Sequence, residues 1–362
     1  MLNFLYLLTV LSQNLDKLKL IDLSKSECLT QTPDFTGFPN IERLIFQGCT
    51  SLHELHPSVG GLKKLILLNL SGCSKLKKFP EIETDMTNLL ELHLDGTFIE
   101  ELPSSIKHLT GLTVLNLQDC KNLLSFPSAI CSLTSLKILT LSGCKGQQPK
   151  QALLCTYLLN PICATLRLCT YLLNLICATL RLWTCCFSIA PYPEPEPINL
   201  LFPNSFSGLS SLESLDLSDC NLLDGALPDD FSCLSSLQSL NLNKNNFTCL
   251  PDSISQLSKL KLLFLDHCSK LKSLPFLPVS TQFVSAQGCT SLKDYSNLKE
   301  YSNQAVVWTS GEAGFTFINC LSLGDDEGKI AEVSLLDIHF QPLWQRYMEV
   351  SLSFPQREVL LI

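Results

Sequence analysis

Residues 41–52 read IERLIFQGCTSL, and residues 65–76 read LILLNLSGCSKL. Both stretches follow the pattern L-x-x-L-x-L-x-x-C, with Ile and Phe standing for Leu in the first. Apolar residues at alternate positions predict a short strand that buries one of its two faces. The small residue three positions after the last apolar one predicts where the chain turns away. The same pattern returns along most of the chain.

Ten copies of this pattern, called repeats from here on, occupy the chain up to Cys289. The first six begin 23 or 24 residues apart, within the roughly 20 to 29 residues typical of leucine-rich repeats. Cys stands at the turn in most repeats, and Ser, Thr or Asn stands there in the rest. The repeats begin at Leu18, Ile41, Leu65, Leu89, Leu112, Leu136, Leu212, Leu237, Leu260 and Thr281.

A proline followed by apolar residues three apart recurs in the second half of the repeats. Examples are Pro103, Ile106 and Leu109, and the same spacing starts at residues 127, 203, 228 and 251. This spacing predicts a 3₁₀ or short helical turn behind each strand. One repeat cannot bury its leucines alone, but stacked repeats can. The sequence therefore predicts an α/β leucine-rich-repeat solenoid, a curved parallel sheet with short 3₁₀, helical or irregular return arms.

An insertion separates the sixth repeat from the seventh. Inside it residues 155–168 (CTYLLNPICATLRL) are duplicated as residues 169–182, with only Pro161 changed, to Leu175. Four alternating prolines between 191 and 197 predict a stiff spacer. The predicted organisation is an N-terminal segment 1–14, a first repeat block 15–146, the insertion 147–200, a second block 201–289 and a small post-repeat β region 290–362.

The insertion is apolar, but Arg167 and Arg181 interrupt runs that are shorter than the roughly 20 residues of a membrane helix. A membrane span is therefore not expected. Its cysteines lack C-x-x-C spacing and have no neighbouring His, so no metal is expected either. Beyond residue 290, stretches such as 314–318 and 347–354 predict strands of the β region.

The cysteines and the charge constrain the setting of the protein. With 26 basic and 34 acidic residues the net charge is −8, which disfavours nucleic acid as a partner. The cysteines at the repeat turns are predicted to be buried free thiols, which favours a reducing compartment, the cytoplasm and also the nucleus. They are Cys49, Cys73, Cys120, Cys144, Cys220, Cys268 and Cys289.

Catalysis is not expected, and neither is a cofactor. Residues 53–56 (HELH) are one residue short of the zinc motif H-E-x-x-H, so the two His would not share a helical face. The sequence also contains no phosphate-binding G-x-x-x-x-G-K-[ST] or G-x-G-x-x-G and no G-x-S-x-G.

Binding of a protein partner is expected instead, on the concave side of the sheet. The positions between and flanking the buried leucines point to that side, because side chains alternate along a strand. Exposed apolar residues among them favour a covering partner. The predicted contact residues are Arg43, Ile45, Gln47, Glu91, His93, Asp95, Val114, Asn116, Gln118, Ser239, Asn241, Asn243, Leu262, Phe264 and Asp266.

Several stretches resemble plant intracellular immune receptors of the TIR, nucleotide-binding, leucine-rich-repeat class. They are residues 18–24 (LKLIDLS), 32–40 (TPDFTGFPN), 41–52, 212–222 (LESLDLSDCNL), 287–292 (QGCTSL) and 315–320 (FTFINC). The last two are similar to that family's final repeat and the opening of its post-repeat jelly-roll or Ig-like domain. The resemblance covers residues 15–322 outside the insertion, and the family's signalling and nucleotide-binding domains have no counterpart in it. It implies the recognition part of a receptor, whose partner is a pathogen protein or the receptor's own signalling domains.

Two alternatives remain open at this point. A secreted or cell-surface leucine-rich-repeat protein is one, because residues 221–228 (NLLDGALP) faintly follow its L-x-G-x-I-P style and Asn69 and Asn246 begin glycosylation sequons. A truncated, non-functional gene product is the other.

Overall fold

The computed structural model describes residues 17–146 and 205–293 and the strand at 314–316. Within these residues, strands of three residues form one parallel sheet, in which each strand pairs with the next along the chain. The strands are β1 (Leu20–Asp22), β2 (Arg43–Ile45), β3 (Leu67–Asn69), β4 (Glu91–His93), β5 (Val114–Asn116), β6 (Ile138–Thr140), β7 (Ser214–Asp216), β8 (Ser239–Asn241), β9 (Leu262–Phe264), β10 (Phe283–Ser285) and β11 (Gly314–Thr316).

The central residue of each strand belongs to the core. Leu44 pairs with Leu68, and Leu92 pairs with Leu115, so leucines of successive repeats stack on one another. All four are fully buried. Because every repeat adds one such layer, a single continuous core runs along the solenoid. The predicted fold is confirmed.

The insertion does not interrupt the stack. Strands β6 and β7 pair directly, with Leu139 opposite Leu215. The hydroxyls of Ser142 and Ser218, which are 76 positions apart in sequence, are 2.8 Å from each other. The sixth and seventh repeats are therefore neighbours in space. Residues 147–204, with the duplication and the proline spacer, lie outside the described residues.

The return arms are partly 3₁₀-helical. Proline precedes three of the 3₁₀ segments, with φ near −60°, and the isoleucine inside each of those segments is buried. The two arms after positions 203 and 228 were predicted to match, yet they contain no 3₁₀ segment in the described residues, although Phe206 and Phe231 are buried. The 3₁₀ segments are Pro57–Gly61, Ser104–His108, Ser128–Ser132 and Asp252–Gln256.

The described residues contain neither an α-helix nor any helix that could cross a membrane. Their return arms are thus limited to 3₁₀ turns and irregular chain. Such short return arms occupy less space behind the sheet than α-helices would.

Strand β11 extends the solenoid sheet. The sequence predicts this stretch as part of a small β region, but it pairs in parallel with β10, with Phe315 opposite Val284. Residues 294–313 and 317–362 lie outside the described residues. The domain boundary at residue 290 and the strand at 347–354 therefore stay predictions.

A row of thiols, which we call the cysteine ladder, lies where the strands turn. The Sγ of Cys73 donates to the carbonyl oxygen of Phe46 in the preceding repeat at 3.2 Å, and the Sγ of Cys220 donates to that of Leu141 at 3.1 Å. The other members make the same bond at 3.1 to 3.2 Å. All seven predicted cysteines are buried, and every cysteine in the described residues is a free thiol.

Burial also changes the acidity of the ladder. It raises the pKa of the Cys73 and Cys220 thiols to about 12, because a thiolate would lose its hydration. These thiols therefore stay protonated and able to donate their hydrogen bonds at neutral pH.

Between Cys49 and Cys289, two other residues take the place of cysteine in the ladder. The Thr97 hydroxyl donates to the Leu94 carbonyl of its own repeat at 2.7 Å. Asn245 does more, since its Nδ2 donates to the carbonyl oxygens of Leu217 and Leu242 at 2.9 and 2.8 Å and its Oδ1 accepts the Leu222 N–H at 3.0 Å. Asn245 is therefore the most densely hydrogen-bonded of the three residue types.

Candidate functional site: the concave face

The side of the sheet that faces away from the return arms is called the concave face. It consists of the first and third residues of each strand and the residue two positions after the strand ends, because these alternate with the buried core residues. All of the predicted contact residues lie in these positions, on or just after β2, β4, β5, β8 and β9.

These residues differ in exposure. Arg43, Gln47 and Gln118 are exposed, whereas most of the others are half-buried. Glu91 and Ser239 were predicted to face solvent but are only 7% and 2% exposed. Alternation along the strand gives the direction of a side chain, but neighbours in adjacent strands decide how much of it water reaches.

Local contacts account for several of these burials. The Glu91 carboxylate lies 3.2 Å from Nε2 of His93, and both side chains are nearly buried. Ile45 and Phe264, expected to be exposed apolar residues, are half-buried instead. The Phe264 ring packs against Phe283, with 5.7 Å between the ring centroids.

The sequence interpretation missed half of the face. It did not include the strands β1, β3, β6, β7 and β10, although their repeats had been identified. The equivalent positions there hold Asp22, Asn69, Thr140, Asp216 and Phe283, among others. The repeat pattern alone was a sufficient signal to find them.

The third strand position has a structural role of its own. In five strands an Asp or Asn there uses Oδ1 to accept the backbone N–H two residues later, at 2.9 to 3.1 Å. Such Asx turns fix the end of the strand. The residues are Asp22, Asn69, Asn116, Asp216 and Asn241.

The chemistry of the face changes along the solenoid. Its first half mixes charge and amide: Asp95 accepts hydrogen bonds from the Ser71 hydroxyl at 2.7 Å and from the Asn116 amide at 3.1 Å. Its centre, on β6 to β8, is a buried floor of short polar side chains. Its far end carries the aromatic pair of β9 and β10. The floor residues are Thr140, Ser214, Asp216 and Ser239.

The concave face of the described strands is acidic. Arg43 is its one permanent cation there. The carboxylates are Asp22, Glu91, Asp95, Asp216 and Asp266. A partner that presents positive charge would therefore be favoured electrostatically.

His56, which lies outside the face, does not form a catalytic relay with its neighbours. Nδ1 of His56 lies 2.8 Å from the Ser58 hydroxyl and 3.6 Å from an Asp34 oxygen. A relay needs the serine and the carboxylate on opposite ring nitrogens, and here both approach the same one. Within the described residues no three His, Cys, Asp or Glu side chains are close enough to hold a metal ion.

Family models recognise the repeats. The model described as "Disease resistance protein RPS4B-like, leucine-rich repeats" matches residues 61–175, and a general Leucine Rich Repeat model matches residues 211–234 and 236–257.

Similar proteins are plant resistance proteins. The chain is 37% identical to TMV resistance protein N of Nicotiana glutinosa over 302 residues, which covers 74% of this chain and 25% of that protein. It is 32% identical to disease resistance protein RPS4B of Arabidopsis thaliana, over 84% of this chain and 20% of that protein. The chain thus spans about a quarter or less of the length of these relatives.

Among solved structures, a leucine-rich-repeat protein of Leptospira interrogans matches with a TM-score of 0.47 and 19% identity over 79% of each chain.

The described solenoid is therefore a leucine-rich-repeat region of the type found in plant TIR, nucleotide-binding, leucine-rich-repeat resistance proteins. The resemblance inferred from the repeat sequences is confirmed.

Proposed function

We propose that this chain is the recognition module of an intracellular plant immune receptor and binds another protein on its concave face. The observation that carries the proposal is the contrast within each strand. The central residue is fixed in the core, while the residues beside it present different charged, amide and aromatic groups from repeat to repeat. A solenoid sheet of this kind offers an extended surface for protein recognition.

The partner is a pathogen protein or the signalling and nucleotide-binding domains of the receptor itself. Binding the first would report infection, and binding the second would hold the receptor inactive. The action is binding without catalysis. Nucleic acid and membrane are not the proposed partners, in keeping with the acidic face.

The proposed location is the cytoplasm, with the nucleus as a second site. The free thiols of the described residues support a reducing compartment. The two sequon amides support it as well, because each is engaged within the fold. Asn69 caps its own strand, and Asn246 donates to Asn221 Oδ1 at 2.6 Å. A glycan on Nδ2 would crowd either site, because both asparagines are half-buried.

The test compares two sets of four alanine substitutions in the full chain, expressed with an affinity tag in infected leaf tissue. One set changes the concave residues Arg43, His93, Asn116 and Phe264. The comparison set changes the return-arm residues Ser104, Lys107, Ser132 and Gln256, which are all exposed. We expect at least one protein to bind the native chain and the return-arm variant but not the concave variant.

Both variants must retain the native melting temperature for the comparison to count. If every bound protein stays with the folded concave variant, the concave face is not the recognition surface.

A further inference from the structure

The floor of the concave face contains a carboxylate without a cation. Asp216 is 5% exposed and forms no ion pair with any residue the structure describes. Its Oδ1 accepts the Ser218 N–H at 2.9 Å, and the neighbouring side chains of Ser218 and Asn241 favour its charged form. Burial raises the pKa of this carboxyl group. A buried carboxylate is most stable next to a positive charge.

A second polar group lies on the same floor. Ser239 is 2% exposed, and its Oγ has no hydrogen-bond partner among the residues that the structure describes. It is the first residue of β8, where it pairs with Ser214, while Asp216 pairs with Asn241 two residues further along the same two strands. The unsatisfied hydroxyl and the carboxylate are therefore diagonal neighbours on the concave face.

An aromatic surface borders these two groups. Phe264 of β9 is in register with Asn241 of β8. Since adjacent strands are about 4.8 Å apart, the Phe264 ring lies roughly two strand spacings from Asp216. The tilted pair that it forms with Phe283 makes a half-buried apolar wall at this end of the floor.

We propose that this floor binds an arginine side chain from the protein partner, an inference that rests on the proposed function. The guanidinium group would donate to the Asp216 carboxylate and to the Ser239 hydroxyl. Its hydrocarbon stem would lie against Phe264. Arginine fits better than lysine, because a planar fork of donors serves two acceptors at once and packs on an aromatic ring. A long side chain is also what reaches a recessed floor.

Other strands of the chain show which substitution of Asp216 the fold should tolerate. Asn occupies the position equivalent to Asp216 in β3, β5 and β8 and makes the same Asx turn there. Asp216→Asn should therefore fold and keep the turn while removing the charge. Asp230→Asn is the matched control, because Asp230 makes the same turn with the Ser232 N–H at 2.8 Å but is exposed outside the concave face.

The experiment selects binders from a displayed library of random twelve-residue peptides against the full native chain and these two variants. We expect peptides rich in arginine on the native chain and on Asp230→Asn, and loss of that enrichment on Asp216→Asn. Replacing the arginine of a selected peptide with neutral citrulline should weaken binding to the native chain at least tenfold. On Asp216→Asn the same replacement should have little effect.

Each other outcome overturns the inference. If Asp216→Asn selects the same arginine peptides, or the native chain selects concave-face peptides without arginine, the partner is different although the face still binds protein. If no selected peptide competes for the concave face, the proposed function fails as well. If arginine peptides bind only after residues 150–199 are deleted, the occupant is the chain's own Arg167 or Arg181.

Discussion

The cysteine ladder and the concave face differ in how much their residues vary from repeat to repeat. Behind the sheet, the cysteine ladder places the same residue in seven repeats, and each thiol makes the same hydrogen bond to the preceding repeat. On the concave face, the residues a few ångströms away change in charge, size and polarity from one repeat to the next. Uniform contacts require uniform residues, whereas residues that face away from the core can vary.

The concave face is not wholly free, however. The five Asx turns restrict its third strand position, and the polar floor of β6 to β8 is buried. Some residues of the face are therefore chosen for the strand end rather than for a partner. Variation among repeats indicates a binding surface only when the Asp and Asn residues of the Asx turns are left out of the comparison.

We expect the largest change in stability at Asn245, which takes the place of cysteine in the ladder. Asn245→Ala removes the four hydrogen bonds of a buried amide, including a longer one of 3.3 Å to the Asn243 carbonyl oxygen, and leaves the Leu222 N–H without an acceptor. We expect it to lower the free energy of unfolding by about 3 kcal/mol. Gln47→Ala, on the exposed part of the concave face, should change it by less than about 0.5 kcal/mol. Urea denaturation of both variants measures the difference, and equal effects would show that the two sides do not differ in this way.

An ordinary member of the ladder should matter less. Cys73→Ala removes a buried sulfur atom and one weak hydrogen bond, so we expect a loss of about 1 to 2 kcal/mol. Cys249→Ala is the control, because Cys249 is exposed and lies outside the ladder. Unfolding curves for the two variants that superimpose would contradict a stabilising role for the ladder.

The ladder also predicts a dependence on alkaline pH. The folded-state pKa of Cys73 and Cys220 is raised from an ordinary value of 9.0 to about 12. Stability from the protonated thiols is therefore complete below pH 9 and is lost as the pH rises toward 12, because the unfolded chain ionises first. Thermal melting between pH 7.5 and 10.5 measures the decline. The double variant with both cysteines changed to alanine should decline less steeply, and an unchanged slope would contradict the assignment.

The smallest effect is expected from the insertion. Since β6 and β7 pair without it, deleting residues 150–199 should shift the melting temperature by less than about 3 °C, because loop length costs little entropy. Circular dichroism of the deleted chain provides the measurement. Loss of the strand signal would show that the insertion belongs to the core.

The repeat sequence predicts the fold well because each apolar position has one possible environment. The period places every described strand from β1 to β10, and the turn position places the cysteine ladder. The exposure of residues on the concave face was harder to predict, because the burial of Glu91 and Ser239 depends on adjacent strands rather than on their own strand. Strand β11 was assigned to a separate region since no repeat pattern surrounds Gly314–Thr316, although backbone pairing alone adds it to the sheet.

Carboxyl footprinting of the full chain, with and without a protein that binds it, tests the central claim most directly. Asp95 and Asp266 report on the concave face, and exposed Glu83 and Asp252 on the return arms serve as internal controls. We predict that bound partner lowers the modification rate of the first two at least several-fold and leaves the controls unchanged. Protection of Glu83 and Asp252, with Asp95 and Asp266 modified at the free rate, would contradict recognition by the concave face.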